Sequence, residues 1–122
     1  MNLPLVYHPN YAPTGLANFA RLRVVAEMAQ AENLGSFYLP HAIAEADLRG
    51  LHDTDYLEAM LIGNLPLANS AYLPWSHELV TACLHMLGGQ IMGAHLALQH
   101  GRCINLACGF HHAHPNIGGG FC

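Results

Sequence analysis

The sequence predicts an α/β protein, a layered structure around a parallel sheet. Three observations carry that reading. Short apolar runs at Leu3 to Tyr7, Ser36 to Leu39 and Ile104 to Cys108 have the length of buried strands. Stretches of helical spacing separate them, and strands that alternate with helices in this way close into parallel sheets. A glycine or proline follows each element, at Pro9, Gly35, Pro40, Gly63, Gly101 and Gly109.

In chain order, Leu3 to Tyr7 is the first strand, ended by the turn residues His8-Pro9-Asn10. From Gly15 to Asn33, apolar residues recur at Leu16, Phe19, Leu22, Val25 and Met28 or Ala29. Arg21, Arg23, Glu27, Gln30 and Glu32 take the other positions, so this is an amphipathic helix with Gly35 as its stop. Ser36 to Leu39 is the second strand, and Ile43 to Arg49 a short helical turn. Asp53 is placed to cap a helix carrying Tyr56, Leu57, Met60 and Leu61 on one face and stopping at Gly63. Asn64 to Trp75, with two prolines and two asparagines, is a connecting loop.

Ser76 is placed to cap the longest helix, which runs to His100 with Gly101 behind it. No formally charged residue lies between Leu79 and Gly101, and Gly89 and Gly93 are spaced as in a membrane helix pair, so a transmembrane span has to be weighed. A helix covering a sheet fits better. Val80, Leu84, Leu87, Ile91, Ala94 and Leu98 form its apolar row, and Gly88, Gly89 and Gly93 permit close approach to the sheet.

The composition excludes some functions. With four Lys and Arg in 122 residues and a net charge of -4, the chain is expected to bind neither nucleic acid nor a membrane surface, since both are held through clustered basic side chains. The apolar fraction of 52% against 10% charged residues is high for a free-standing small domain and compatible with a homo-oligomer or with part of a larger body. Cys83, Cys103, Cys108 and Cys122 form no C-x-x-C pair and follow no secretory leader, so reduced thiols in a cytoplasm are expected.

Ten histidines are the unusual feature. Seven are scattered and read as structural or surface residues, whereas His111, His112 and His114 cluster behind the third strand. Adjacent residues on a strand point to opposite faces, so His111 and His112 share a site only if the backbone leaves the pleat, which Gly109 and Pro115 would permit. Three chemistries remain open for this end of the chain. Cys103, Cys108, His111, His112, His114 and Cys122 hold enough donors for a metal, though not at a zinc-site spacing. Cys122 beside a histidine would suit nucleophilic catalysis. Two neighbouring imidazoles would suit general acid/base work alongside an electrophile.

Gly109-Phe-His-His-Ala-His-Pro and Gly119-Gly-Phe-Cys resemble the tandem-histidine signature of zinc-dependent histone deacetylases and their bacterial relatives. Leu51-His-Asp-Thr-Asp-Tyr-Leu resembles that family's His-Asp-x-x-Tyr-[LV] segment. Leu73-Pro-Trp-Ser-His-Glu-Leu-Val, Gly88-Gly-Gln-Ile-Met-Gly-Ala-His and Asn105-Leu are similar to its class IV branch. The resemblance implies a three-layer α/β/α arginase/deacetylase-like fold, of which residues 1–122 would be the amino-terminal portion of a single incomplete domain. It implies a zinc-dependent amidohydrolase acting on acetylated lysine or a related acetylated amine. His111 and His112 match the catalytic pair, His112 as general base and acid and His111 as its electrostatic partner. Phe110, Gly120 and Phe121 match substrate-binding positions. The metal ligands and carbonyl-polarising tyrosine of the family have no counterpart here, so zinc would need ligands from elsewhere and the 122-residue chain alone is expected to be inactive. Gly15-Leu-Ala-Asn-Phe-Ala-Arg-Leu-Arg23 lacks the histidine and proline usual in the family, and Cys108 stands where a glycine is usual.

Overall fold

The computed structural model describes residues 2–122. They divide into two compact units, one of residues 2–43 and 81–109 and the other of residues 44–80 and 110–122.

The first unit is an α/β layer structure. Strand β1 (Pro4–Val6) lies between β2 (Ser36–Tyr38) and β3 (Ile104–Asn105), all parallel, with Leu5 opposite both Phe37 and Ile104. All three residues of β1 are buried, as befits a central strand covered on both faces. Helix α1 (Ala17–Ala31) joins β1 to β2, and α3 (His77–His100) precedes β3. The two crossovers leave in opposite directions across the sheet, and right-handed connections then put their helices on opposite faces. The three layers follow from that topology.

Local sequence explains most of the boundaries and corrects a few. Ser36 N–H donates to the Leu3 carbonyl at 2.9 Å and Tyr7 N–H to that of Tyr38 at 3.2 Å, so the ladder runs one residue past each end of β1. Gly35 serves this junction rather than stopping α1, since a Cβ there would sit 2.1 Å from the Leu3 oxygen. Asn33 ends the helix instead. Its φ is 51°, and bonds from Asn33 N–H to Gln30 and Leu34 N–H to Ala29 close a Schellman turn. The third strand is also shorter than its apolar run. Leu106 N–H still bonds Val6, but Ala107 N–H turns back to Asn105 and takes the chain out of register.

Burial on the helices departs from their apolar rows. Helix α1 buries Phe19, Leu22, Ala26 and Ala29, while Val25 and Met28 stay exposed. Within this unit α3 buries Ala82, Met86, Gly88, Gly89 and Leu96, leaving Leu98 86% exposed and Ile91 half open. Its contact face is the small one. A Cβ on Gly89 would lie 1.9 Å from the Tyr11 hydroxyl, and one on Gly88 1.8 Å from the His41 carbonyl. Helix α3 is long and apolar enough to cross a membrane by length and composition. Met86, which has no exposed surface, and the Asn105 amide bonded to its carbonyl are features of a helix laid on a sheet.

The second unit contains α2 (Thr54–Ile62), the first residues of α3 and the final loop. Asp53 occupies the N-cap position of α2 without a side-chain cap bond, and Gly63 ends the helix at φ 81°. At α3 the Ser76 hydroxyl accepts Leu79 N–H at 3.0 Å, a working N-cap. Residues 64–75 form the connecting loop, with a 3-10 turn at Leu67–Asn69. Trp75 anchors it, its backbone N–H bonded to Asn69 and its indole N–H to the Met60 carbonyl.

Candidate functional site

The loop that follows β3 in sequence carries the tandem histidines, and a turn brings their rings together. Ala113 N–H donates to the Phe110 carbonyl at 3.1 Å, so the backbone reverses across His111 and His112 and their ring centroids come within 3.9 Å. The departure from the pleat is made by Phe110, at φ 51°, with glycine on its amino-terminal side. A left-handed phenylalanine is uncommon, and a second stands at Phe121 with φ 67°. Such residues persist only where their surroundings hold them, and they concentrate at functional positions.

Gly120 supplies the next contact. His112 Nδ1 lies 3.3 Å from the Gly120 carbonyl. A carbonyl only accepts, so this bond requires the proton on Nδ1 and leaves the lone pair of the neutral ring on Nε2. A Cβ at Gly120 would fall 2.5 Å from His112 Nδ1, and its φ is 53°, so both space and backbone demand glycine.

Each of the five residues singled out from the sequence therefore has a definite place. His112 meets both His111 and Gly120, and both histidines are exposed. Phe110 is half-buried at the start of the turn. Phe121 is 57% exposed.

Residues outside that set hold the loop. His52 Nδ1 lies 3.2 Å from the His114 carbonyl, and Asp53 N–H donates to the Pro115 carbonyl at 2.8 Å. Ser70 Oγ accepts Gly118 N–H at 2.8 Å, and the Ala71 carbonyl accepts Phe121 N–H at 3.0 Å. His52 was grouped with the scattered histidines, and Ser70 lay in a connecting loop. The His-Asp pair of the motif at Leu51 is the one signal that points to His52, and no pattern in the sequence points to Ser70.

Among the described residues, no three His, Cys, Asp or Glu side chains converge as a metal-binding group. The donors present do not fit a zinc centre, and a small metal-binding protein finds no support in this geometry. Burial pushes the Cys83 thiol up to about 12, with Cys108 adding to the shift, and raises that of Cys103, whereas a nucleophilic thiol needs the opposite, so neither of these two cysteines is suited to attack.

The histone deacetylase domain model matches residues 16–122 of this chain, from the start of α1 through the histidine loop. The chain belongs to the histone deacetylase family. An uncharacterized protein of Picosynechococcus sp. is 36% identical over 131 aligned positions, which take in 100% of this chain and 44% of that protein. The family's defining chemistry is deacetylation, a hydrolysis. The chain thus spans less than half the length of the curated relative it matches.

Proposed function

We propose that this chain supplies the tandem-histidine part of a deacetylase-like amidohydrolase, which removes acetyl groups from lysine side chains or related amines in the cytoplasm. The observation that carries the reading is the contact of two imidazoles at 3.9 Å on the family-matched loop, with His112 Nδ1 on the Gly120 carbonyl. In the Nδ1–H form, His112 takes a proton from water through Nε2 and returns it to the leaving amine. His111 stabilises charge beside it. Phe110, Gly120 and Phe121 take the acyl chain, and the exposed faces of both histidines leave them open to a substrate. The zinc dependence implied by the resemblance belongs to the same proposal, the ion being held by side chains other than those described.

The test uses a full-length version of the protein and an acetyl-lysine peptide. His112→Ala is expected to lower kcat by about two to four orders of magnitude, the usual share of a general acid/base residue. The 122-residue chain alone is expected to show no turnover. Undiminished deacetylation by the variant rejects the role of His112, and zinc-dependent hydrolysis by the short chain rejects the inactivity.

A second reading, an inactive remnant that works only by association, draws on the open apolar residues of the first unit, Leu98 and Leu39 among them. A monomer by sedimentation with cooperative unfolding counts against it.

A further inference from the structure

Among the described residues, Asn33, Tyr72, Phe110 and Phe121 are the non-glycine positions with a left-handed backbone. Asn33 is an ordinary helix stop, since asparagine tolerates that region. The other three are aromatic, for which it is uncommon, and all belong to the second unit. Phe110 and Phe121 flank the histidines, whereas Tyr72 comes from the loop bonded to them. Its φ is 62° and it is 78% exposed, so the strain serves no packing. Neighbouring bonds impose the conformation. The Asn69 carbonyl accepts Tyr72 N–H at 2.9 Å and the Asn69 side-chain oxygen accepts Trp75 N–H at 2.7 Å, which closes the loop on itself. The Ala71 carbonyl accepts Phe121 N–H at 3.0 Å. Through that bond, the Gly120–Phe121 peptide and the contact of Gly120 with His112, Tyr72 N lies no further than about 11 Å from the His112 ring.

We propose that Tyr72 is a specificity-determining residue of the histidine site: its ring receives an apolar or aromatic side chain that flanks the acetylated amine of the substrate. The inference rests on the deacetylase reading above, and it adds the substrate feature that the site selects. A ring held out in water by its own backbone presents a large, rigid apolar face at low entropic cost. The surroundings agree. Neither residues 64–77 nor residues 109–122 include a formally charged side chain, so this side of the site offers contact area rather than an ion pair. A flanking phenylalanine gains from such a face, and a flanking lysine or aspartate does not.

The probe is an acetyl-lysine peptide with phenylalanine beside the acetylated residue, and the same peptide with alanine there is the reference. In a full-length version of the protein, Tyr72→Asn is expected to raise KM for the phenylalanine peptide about three- to tenfold with kcat little changed. The alanine peptide is expected to respond less. Asparagine accepts the left-handed backbone and lacks the ring, whereas Tyr72→Phe keeps the ring and is expected to match the unsubstituted protein. An unchanged KM in Tyr72→Asn, or an equal rise for both peptides, overturns the proposal. Thermal unfolding of Tyr72→Asn is expected at the same temperature or higher, in the 122-residue chain and in the full-length protein. A clear loss of stability in either makes the ring a packing element and also overturns the proposal. If deacetylation is absent or insensitive to His112→Ala, the functional reading fails and the ring is judged by peptide binding alone. Weaker binding of the phenylalanine peptide to Tyr72→Asn then upholds its role, and equal binding rejects it.

Discussion

The two units of this chain are held in different ways. In the first, backbone ladders and close-packed small residues fix the structure: β1 is bonded on both sides, and Gly88 and Gly89 touch their neighbours with no room for a methyl group. In the second, the histidine loop has no ladder. It hangs on a few unrepeated bonds from residues 52, 53, 70 and 71. The difference teaches that scaffold and site respond to different changes. A scaffold lost in its packing fails as a whole, whereas a loop lost at one anchor changes its chemistry first.

The largest effect that would sharpen this contrast lies in the first unit. Met86 has no exposed surface, and its carbonyl accepts from the Asn105 amide, whose oxygen in turn accepts the Tyr11 hydroxyl at 2.9 Å. Burial pushes the Tyr11 phenol well above its usual range, so it remains a donor through the physiological span. Met86→Ala empties the space beside this network and is expected to cost about 2–5 kcal/mol. Chemical denaturation followed by circular dichroism reads the loss. A change below about 0.5 kcal/mol would show that the helix face is not the core.

How much of this was legible in the sequence divides along the same line. Gly63, Ser76 and Gly101 act where local rules put them, because a cap or a left-handed stop is decided within one turn of chain. The buried face of α3 was misread. With no formal charge from Leu79 to Gly101, the helix is apolar nearly all round and periodicity selects no side; the contact follows the small residues, and Leu98 and Ile91 on the greasy row stay open. Ser70 was illegible for another reason. Its partner is 48 residues away, and a hydrogen bond of that span leaves no local pattern. The histidine pair was legible as a motif, while the turn that joins the rings depends on a left-handed Phe110 that no propensity favours.

A smaller effect separates the units by pH. His8, just after β1, stacks on His85 with centroids 4.1 Å apart, and its Nδ1 accepts Asn10 N–H at 3.0 Å, capping the 3-10 turn that carries Tyr11. Partial burial, then the nearby His85 and His41, hold the His8 imidazole below its usual range. The folded state therefore favours the neutral ring. The associated stability is fully present above about pH 6.5, the ordinary value, and drains away as pH falls from there toward the depressed folded value. Protonation also removes the acceptor that Asn10 uses. His8→Asn keeps a capping oxygen and does not titrate, so its unfolding free energy is expected to fall less steeply with acid than that of the unsubstituted chain. Parallel curves would place the pH response in another histidine.

The smallest effect concerns a group the fold leaves unserved. The Tyr7 hydroxyl is buried, with no hydrogen-bond partner among the described residues, and its ring meets Tyr11 edge-on at 5.4 Å. Desolvation raises its phenol above the ordinary range, Arg23 working against that shift and Glu27 with it. A buried hydroxyl without a partner costs about 1–3 kcal/mol relative to a satisfied one, whereas the ring supplies the packing. Tyr7→Phe keeps the edge-on contact and removes the unserved oxygen. The variant is expected to be as stable as the unsubstituted chain or more stable by about 1 kcal/mol. A clear loss in thermal unfolding would mean that the oxygen is bound after all, by a water held between β1 and α1, and the first unit would then share with the second a dependence on single polar contacts.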